Sequence, residues 1–491
     1  MFMDSLYWLI LHPTSMVPKK IFRDLSASTL QVVINQLFGL LIFYMLSRYL
    51  DKSNFGELNW SIATLSVVTI ILTLGTDVLI VKRIAQGEDP GQIGGLHMTH
   101  TVMASLLFLF LLFGCRQLWP AFFEQHNLLI GVAMSLVLTF LSSPFKQIAN
   151  GKEVFYNFAV MTVTANAVKA ILLLAAGILG FFSIKVIIAI FIVASLIEWI
   201  VGAWLAFSSI GKPLKLKWDK DQYKALLLES LPQLGVLLFD SALARVDWIL
   251  IGLMKGPATT GEYSFAYKIF EISRLPMLVI APVILPKFVR YLNNGETLGG
   301  EKKMELSLLL KFETAISVLI PIFFNITWTP LMSWLTAGKY GSVDAPVYLL
   351  LSVCVPLHYF NNFLWTMAFA QKQLKLTFYI TVVVSLLNFS LNLLLIPKFS
   401  SRGAALAFVI STLVQFVLYK VFVDQRRLPV PTVPLLFSMG LAAASIWLAK
   451  AFIADTVTAL IVSTGTYLLL IFVFRLLHPR DLYRIMSILK K

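Results

Sequence analysis

Six ionisable residues crowd two neighbouring apolar stretches of this chain: Asp240, Arg245 and Asp247 in one, Lys268, Glu271 and Arg274 in the next. On insertion scales each such residue costs about 2.5–3.5 kcal/mol near the bilayer centre, so they must face protein or water rather than lipid. At 100° per residue, Tyr267, Lys268, Glu271 and Arg274 fall within an arc of about 120° on a helix. Glu271 stands three residues from Lys268 and three from Arg274, a spacing that permits an ion pair. One acid facing two bases leaves a net positive face. Asp240 and Asp247, seven residues apart, share a face, whereas Arg245 points about 160° away from Asp247. A straight helix therefore cannot aim all three at one cavity. Two readings stay open: the charges line a hydrated passage, or they form an interhelical network that ties the helices together.

Weaker signals lie on other stretches. Ser28, Gln31 and Asn35 align with Gly39, as do Thr162, Asn166 and Lys169, and Ser385, Asn388 and Asn392. Small and polar stripes commonly glue membrane helices together. Lys169 stands apart, because a lysine at bilayer depth needs an anion or water. Asp77, Glu198, Lys311 and Glu313 are isolated charges in apolar surroundings, and His358 reads as a packed histidine. Prolines 276, 282, 286 and 356 can bend their helices and free backbone groups. Cys115 and Cys354 belong to no Cys-x-x-Cys or Cys/His cluster, so neither a metal site nor a disulfide is expected. No GxxxxGK[ST] loop, Ser-His-Asp set or zinc spacing occurs, so the sequence points to no catalytic residue, no cofactor and no ATP-driven step.

These residues are positioned by membrane helices. The chain is 58% hydrophobic and 13% charged, with a mean hydropathy of +0.82, about half the charge of a soluble domain. Apolar runs near the length of a bilayer crossing recur throughout. They lack the alternation of barrel strands, so helices are expected. The expected fold is an all-α polytopic membrane protein of about fourteen transmembrane helices, with spans near 25–50, 58–81, 97–119, 127–149, 155–179, 184–208, 227–254, 263–289, 307–330, 346–370, 375–396, 403–423, 433–454 and 456–477. Lys and Arg favour alternate connections about threefold, which puts both termini in the cytoplasm. The net charge of +15 then belongs to this positive-inside bias rather than to nucleic-acid binding. Lys19, Lys20 and Arg23 precede the first span, which serves as an uncleaved insertion signal. No connection is long enough for a soluble catalytic domain.

An internal repeat runs through the chain. Gly56-Glu57 follows span 1 and Gly261-Glu262 follows span 7, while Lys82 and Lys287 lie equally far beyond them. One offset relates both pairs and maps spans 1–2 onto spans 7–8. Six spans is an even number, so the copies are parallel, with a pseudo-two-fold axis along the membrane normal and a substrate site expected between the halves. The expected organisation is a cytoplasmic segment 1–24, an N-lobe 25–210, a basic linker 211–226, a C-lobe 227–428, an extra helix pair 429–478 and a basic cytoplasmic tail 479–491.

Three segments carry a family resemblance: Leu46–Glu57, Leu74–Ala85, and Val246–Gly252 leading into Gly261–Tyr267. With them the chain resembles the polysaccharide-transporter branch of the multidrug/oligosaccharidyl-lipid/polysaccharide exporter superfamily, which includes O-antigen flippases. The resemblance implies two six-helix lobes opening alternately to each side. It implies an undecaprenyl-pyrophosphate-linked glycan as cargo, drive by an ion gradient, a bacterial inner-membrane location, and other polysaccharide-assembly membrane proteins and membrane lipids as partners. Under it, Lys268, Arg274, Arg245 and Lys169 would hold the pyrophosphate, with Arg favouring bidentate contacts. Tyr263 and Tyr267 would stack on sugars, Gln31 and Asn35 would add polar contacts, and Glu271, Asp247, Asp240 and Asp77 would couple the ion. The extra pair resembles the added helices of the lipid II flippase, which help to form a groove for the lipid tail. Two other readings remain: a multidrug or cation antiporter of the same superfamily, which calls for an acidic cavity, and a membrane glycan polymerase or lipid-linked glycosyltransferase, which usually carries a sizeable extracytoplasmic loop.

Overall fold

The computed structural model describes residues 19–210, 214–277, 300–425, 432–474 and 476, with the side chains of 19–29, 300–307 and 309 left out. Expectations for Ser28, Pro282, Pro286, Lys287 and the basic tail 479–491 therefore lie outside the described residues and side chains. Among the described residues every regular element is a helix. In chain order these are α1 (Lys19–Tyr49), α2 (Lys52–Thr73), α3 (Thr76–Ala85), α4 (Pro90–Leu118), α5 (Pro120–Gln125), α6 (Leu129–Leu141), α7 (Ser143–Gly151) and α8 (Phe155–Ile178). They continue as α9 (Ile184–Ile210), α10 (Lys220–Lys255), α11 (Pro257–Ser273), α12 (Gly300–Leu335), α13 (Gly341–Ala370), α14 (Leu374–Phe422), α15 (Thr432–Phe452) and α16 (Thr456–Val473). Eleven helical segments are long and apolar enough to cross a membrane. One of them, α14, holds Pro397 and a non-helical Ser400 (φ 54°, ψ −136°) and so makes two passages joined at a kink. The charge-bearing α10 and the 17-residue α11 fall outside that set, which covers the described residues only.

Two expected spans are broken within their length. The second divides at Leu74 and Gly75, both left-handed (φ 48° and 75°), so that α3 begins afresh at Thr76. A Cβ at Gly75 would lie 2.7 Å from the Ser230 carbonyl oxygen, so glycine satisfies both the turn and the close approach. The fourth divides at Ser142, with Pro144 in the first turn of α7 where its missing N–H costs nothing. The segments after the two breaks, α3 and α7, pack on each other.

The chain forms two compact units, residues 1–261 and 262–491. In unit 1, α1 runs along α8, α9 packs on α6 and α8, and α10 packs on α2 and α3. In unit 2, α13 packs on both α12 and α14, while α15 and α16 pack on each other and on α12. Ala315, Val318 and Ile322 of α12 meet Ala442, Tyr467 and Ile471 of the C-terminal pair. Small residues keep that seam close: Ser463 donates to Ser445 at 3.2 Å.

The internal repeat leaves a physical trace inside unit 1. A Cβ on Gly56 would stand 1.8 Å from the Pro257 carbonyl oxygen, and a Cβ on Gly261 would stand 2.7 Å from the Lys52 carbonyl oxygen. Gly56 and Gly261 are repeat equivalents, and so, by the same offset, are Lys52 and Pro257. Such reciprocal contact is what residues around a two-fold axis make, and it requires glycine on both sides. Beside it Trp60 donates Nε1–H to the Ile249 carbonyl at 3.1 Å and lies against Gly252, where a Cβ would come within 1.9 Å of the indole.

Candidate functional site

The break before α3 puts Asp77 in a first helical turn, where unpaired N–H groups and the helix dipole favour a carboxylate. Asp77 accepts from Ser143 Oγ at 2.8 Å, the residue that opens α7, and from His97 Nε2 of α4 at 2.9 Å. His97 is fully buried, with Nδ1 3.4 Å from Thr76 Oγ1. One turn along α4, His100 donates Nε2–H to the Leu72 carbonyl at 2.9 Å, while its Nδ1 lies 3.0 Å from the Tyr223 hydroxyl. The Leu72 carbonyl is among those left without an intrahelical partner by the end of α2. The first helix break thus sets out the acceptors that the histidines satisfy, and the second brings Ser143 to the same carboxylate.

A second buried group lies across α6 to α9. Lys146 of α7 pairs with Glu198 of α9. The hydroxyls of Thr139 and Ser142 lie 3.3 Å and 3.4 Å from the Glu198 carboxylate, and Thr139 Oγ1 is also 3.0 Å from Ser195 Oγ. Lys169 of α8 is within electrostatic reach of Glu198 and sits 4.8 Å from the centre of the Phe191 ring. Asn166 donates to Asn35 at 2.8 Å, which joins two of the expected stripes, and half-buried Gln31 lies one turn before Asn35. A third pair, Glu57 with His126 at 3.0 Å, is buried under Trp60, whose ring stacks on the imidazole at 3.9 Å.

On α10, Asp247 is buried and accepts from the Trp248 backbone N–H at 2.8 Å, while the Arg245 guanidinium lies 4.6 Å from the centre of the Trp248 ring. Asp240, two turns earlier, is exposed. In unit 2, Lys268 bonds Glu271 at 2.8 Å, and each side chain keeps about a quarter of its surface exposed (23% and 24%). Of the two partners that spacing allowed, Glu271 takes Lys268. Arg274 lies 6.0 Å from the Phe270 ring centre, its Nε buried without a hydrogen-bond partner. Tyr263 and Tyr267 are buried side by side, their ring centres 5.8 Å apart, and Tyr267 packs edge-on against Phe270 and Phe408. Their ring faces contribute to packing in this conformation. His358 lies between the same two phenylalanines, as its packed reading anticipated.

The structure thus groups Lys268 and Glu271 on α11 with Arg274 in the turn just after it, sets Lys169 near Glu198, and gives Asp77 a histidine. Sequence reasoning missed His97, Ser143, Lys146, His126 and Glu57. Lys146 and Glu198 did carry a signal: two lone charges of opposite sign in apolar spans of the same lobe. Among the described residues no group of three or more His, Cys, Asp or Glu side chains is placed to hold a metal. A small open cleft in unit 2, where α15 and α16 meet α12, is lined by Lys311, Thr314, Pro434 and Ser438.

Comparison with known proteins places this geometry. Residues 21–292 match the model of the family described as "Polysaccharide biosynthesis protein". A relative from Haloferax volcanii, "Probable low-salt glycan biosynthesis flippase Agl15", is 22% identical over 407 residues, covering 81% of this chain and 83% of the relative. The "Capsular polysaccharide biosynthesis protein CapF" of Staphylococcus aureus is 25% identical over 216 residues, 43% of this chain and 52% of that protein. The fold is similar to that of the lipid II flippase MurJ in an inward closed conformation, with a TM-score of 0.71 at 15% identity, covering 93% of this chain and 99% of the other. An inward-facing MATE-family multidrug resistance transporter of the MOP superfamily gives 0.63 at 15% identity, covering 80% and 94%.

Proposed function

We propose, from the premise that the chain belongs to the polysaccharide biosynthesis protein family, that it is a glycan flippase, a transporter rather than an enzyme. Its cargo is an undecaprenyl-pyrophosphate-linked oligosaccharide, an O-antigen or similar repeat unit. It carries this cargo from the cytoplasmic to the periplasmic leaflet of a bacterial inner membrane by alternating access, coupled to an ion gradient, with both termini cytoplasmic.

The observation that carries this reading is the basic group at the end of α11, where Lys268 and, in the turn after the helix, Arg274 flank a single acid and the Lys268–Glu271 pair stays partly exposed. A pyrophosphate with its sugars cannot cross hydrocarbon unaided, because burying that charge without partners costs far more than the glycan gains elsewhere. Cations held at bilayer depth offset that cost. Lys268 and Arg274 take the pyrophosphate, Arg through paired N–H donors and Lys as a point charge, with Arg245 and Lys169 as further cationic stations. Asn35 and Gln31 offer hydrogen bonds to sugar hydroxyls, and Tyr263 and Tyr267 serve sugars only where a conformational change uncovers their rings.

Ion coupling is assigned to Glu271, Asp247, Asp240 and Asp77. Asp77 fits that role through its imidazole partner, because the hydrogen bond to His97 gives its carboxyl a direct neighbour to exchange a proton with. The extra pair α15 and α16, resting on α12, lines the cleft at Lys311 as a route for the polyprenyl tail.

The test is the double variant Lys268→Ala with Arg274→Ala. It should abolish surface glycan while the protein accumulates in the membrane at normal level, read by glycan blotting beside an epitope-tag blot. Normal surface glycan in that variant rejects the assignment.

A further inference from the structure

Glu313 of α12 is a carboxyl group that none of the roles above employs. It is 5% exposed, and the described structure gives it neither a hydrogen bond nor an ion pair. Lys311, two residues away, cannot serve as its counter-ion along the same helix, since residues at that spacing point away from each other; Lys311 lines the cleft under α15 and α16 instead. An ionised carboxylate buried without a counter-charge is among the costliest groups a protein can hold, and binding a proton removes that cost.

The surroundings supply a route for that proton. Tyr359 of α13 is within electrostatic reach of both Glu313 and Arg274, and its hydroxyl donates to the Ser273 carbonyl at 3.2 Å, one residue before Arg274. His358, next to Tyr359, also feels Arg274, and its Nε2 is buried without a hydrogen-bond partner. Arg274 Nε is likewise unpartnered. Unsatisfied buried polar atoms gathered in one place mark where an additional partner enters. Among the described residues the other helices packed on α12 are α11, whose Phe265 meets Trp328 edge-on and whose Lys268 is bonded to Glu271, and α15 and α16. α16 brings Tyr467 against Ala315, and Lys450 of α15 lies beside Ala449, which packs on Ile326 more than three turns beyond Glu313.

We propose that Glu313 is a proton-binding site of unit 2, joined through Tyr359 to the charge on Arg274. The site holds a proton while no cation faces it, and it releases the proton when Tyr359 and Arg274 move to face its carboxylate. An anion that neutralises Arg274 therefore favours proton uptake at Glu313, and by reciprocity an occupied Glu313 favours the anion. This differs from the acids assigned to coupling above, and it stands whatever the cargo is.

Infrared difference spectroscopy of the full chain in lipid nanodiscs, with no glycan present, tests it by titrating the carbonyl band of protonated carboxylic acids. The wild type should show a titrating acid band that is missing in Glu313→Gln. In Arg274→Gln the midpoint of that band should move to higher pH, because the cation that opposes protonation is gone. Tyr359→Phe, which leaves both charges in place, should shift the band without removing it, and this variant serves if Glu313→Gln does not accumulate. Superimposable spectra for the wild type and Glu313→Gln, or a band indifferent to both Arg274→Gln and Tyr359→Phe, overturn the proposal. Because no cargo is used, failure here is distinct from failure of the flippase reading, which is scored on surface glycan.

Discussion

In unit 1 the deep charges come with partners: Lys146 with Glu198, His97 with Asp77, His126 with Glu57. In unit 2 the Lys268–Glu271 pair remains partly exposed, while Arg274 keeps an unpartnered nitrogen and Glu313 has no hydrogen bond or ion pair among the described residues. Desolvating two charges costs several kcal/mol apiece, which a good pair repays only when its remaining lone pairs are also satisfied. Unit 1 meets that condition through the hydroxyls of Thr139, Ser142 and Ser143. The difference separates charges that hold helices together from charges left available to a ligand or a proton.

The comparison can be broken at four points. Glu198→Ala strands Lys146, with Lys169 nearby, in a buried site. It should cost about 3–5 kcal/mol, read as a large drop in the thermal midpoint in detergent; a loss under about 1 kcal/mol would show that the unit 1 pairs are not structural. Gly252→Ala drives a Cβ into the Trp60 indole and should cost about 1–3 kcal/mol, measured the same way. Lys268→Ala removes a partly exposed pair three residues apart, so its stability cost should stay near 0.2–0.5 kcal/mol even though export falls; a large unfolding effect would move that pair into the structural class.

The smallest effect is expected at Asp455, which caps α16 by accepting from the Thr458 N–H at 2.7 Å and the Thr458 hydroxyl at 2.6 Å. Those bonds hold its carboxyl below the usual carboxylate range. The cap's contribution is therefore complete above the ordinary carboxylate value and disappears as pH falls through the lowered one. Asp455→Ala should slightly loosen α16 at neutral pH and make no difference in strong acid, as read by amide exchange at Thr458.

Most of the spans and the repeat were legible in the sequence because they rest on local quantities: hydropathy, length, and a constant offset that Gly56 and Gly261 then express as a reciprocal contact. The pairing on α11 was legible because i,i+3 spacing is local too, and Lys268 found Glu271 as that spacing allows. Partners across helices were not legible. Asp77 reaches His97 and Ser143 only because α2 breaks at Leu74 and Gly75 and the fourth span breaks at Ser142, and hydropathy passes smoothly over both breaks. The tyrosines show the converse: position puts Tyr267 on the arc with Tyr263 one turn before it, but the space the Tyr267 ring occupies is also set by Phe408, from a distant part of the chain.

The central claim, that this chain moves a lipid-linked glycan outward, is tested most directly by locating that glycan in cells lacking the protein. Lipid-linked repeat units should accumulate in the cytoplasmic leaflet, protected in spheroplasts from an added glycosidase, and reintroducing the wild-type chain should return them to the outer face. Repeat units equally accessible to the glycosidase with and without the protein would contradict the account.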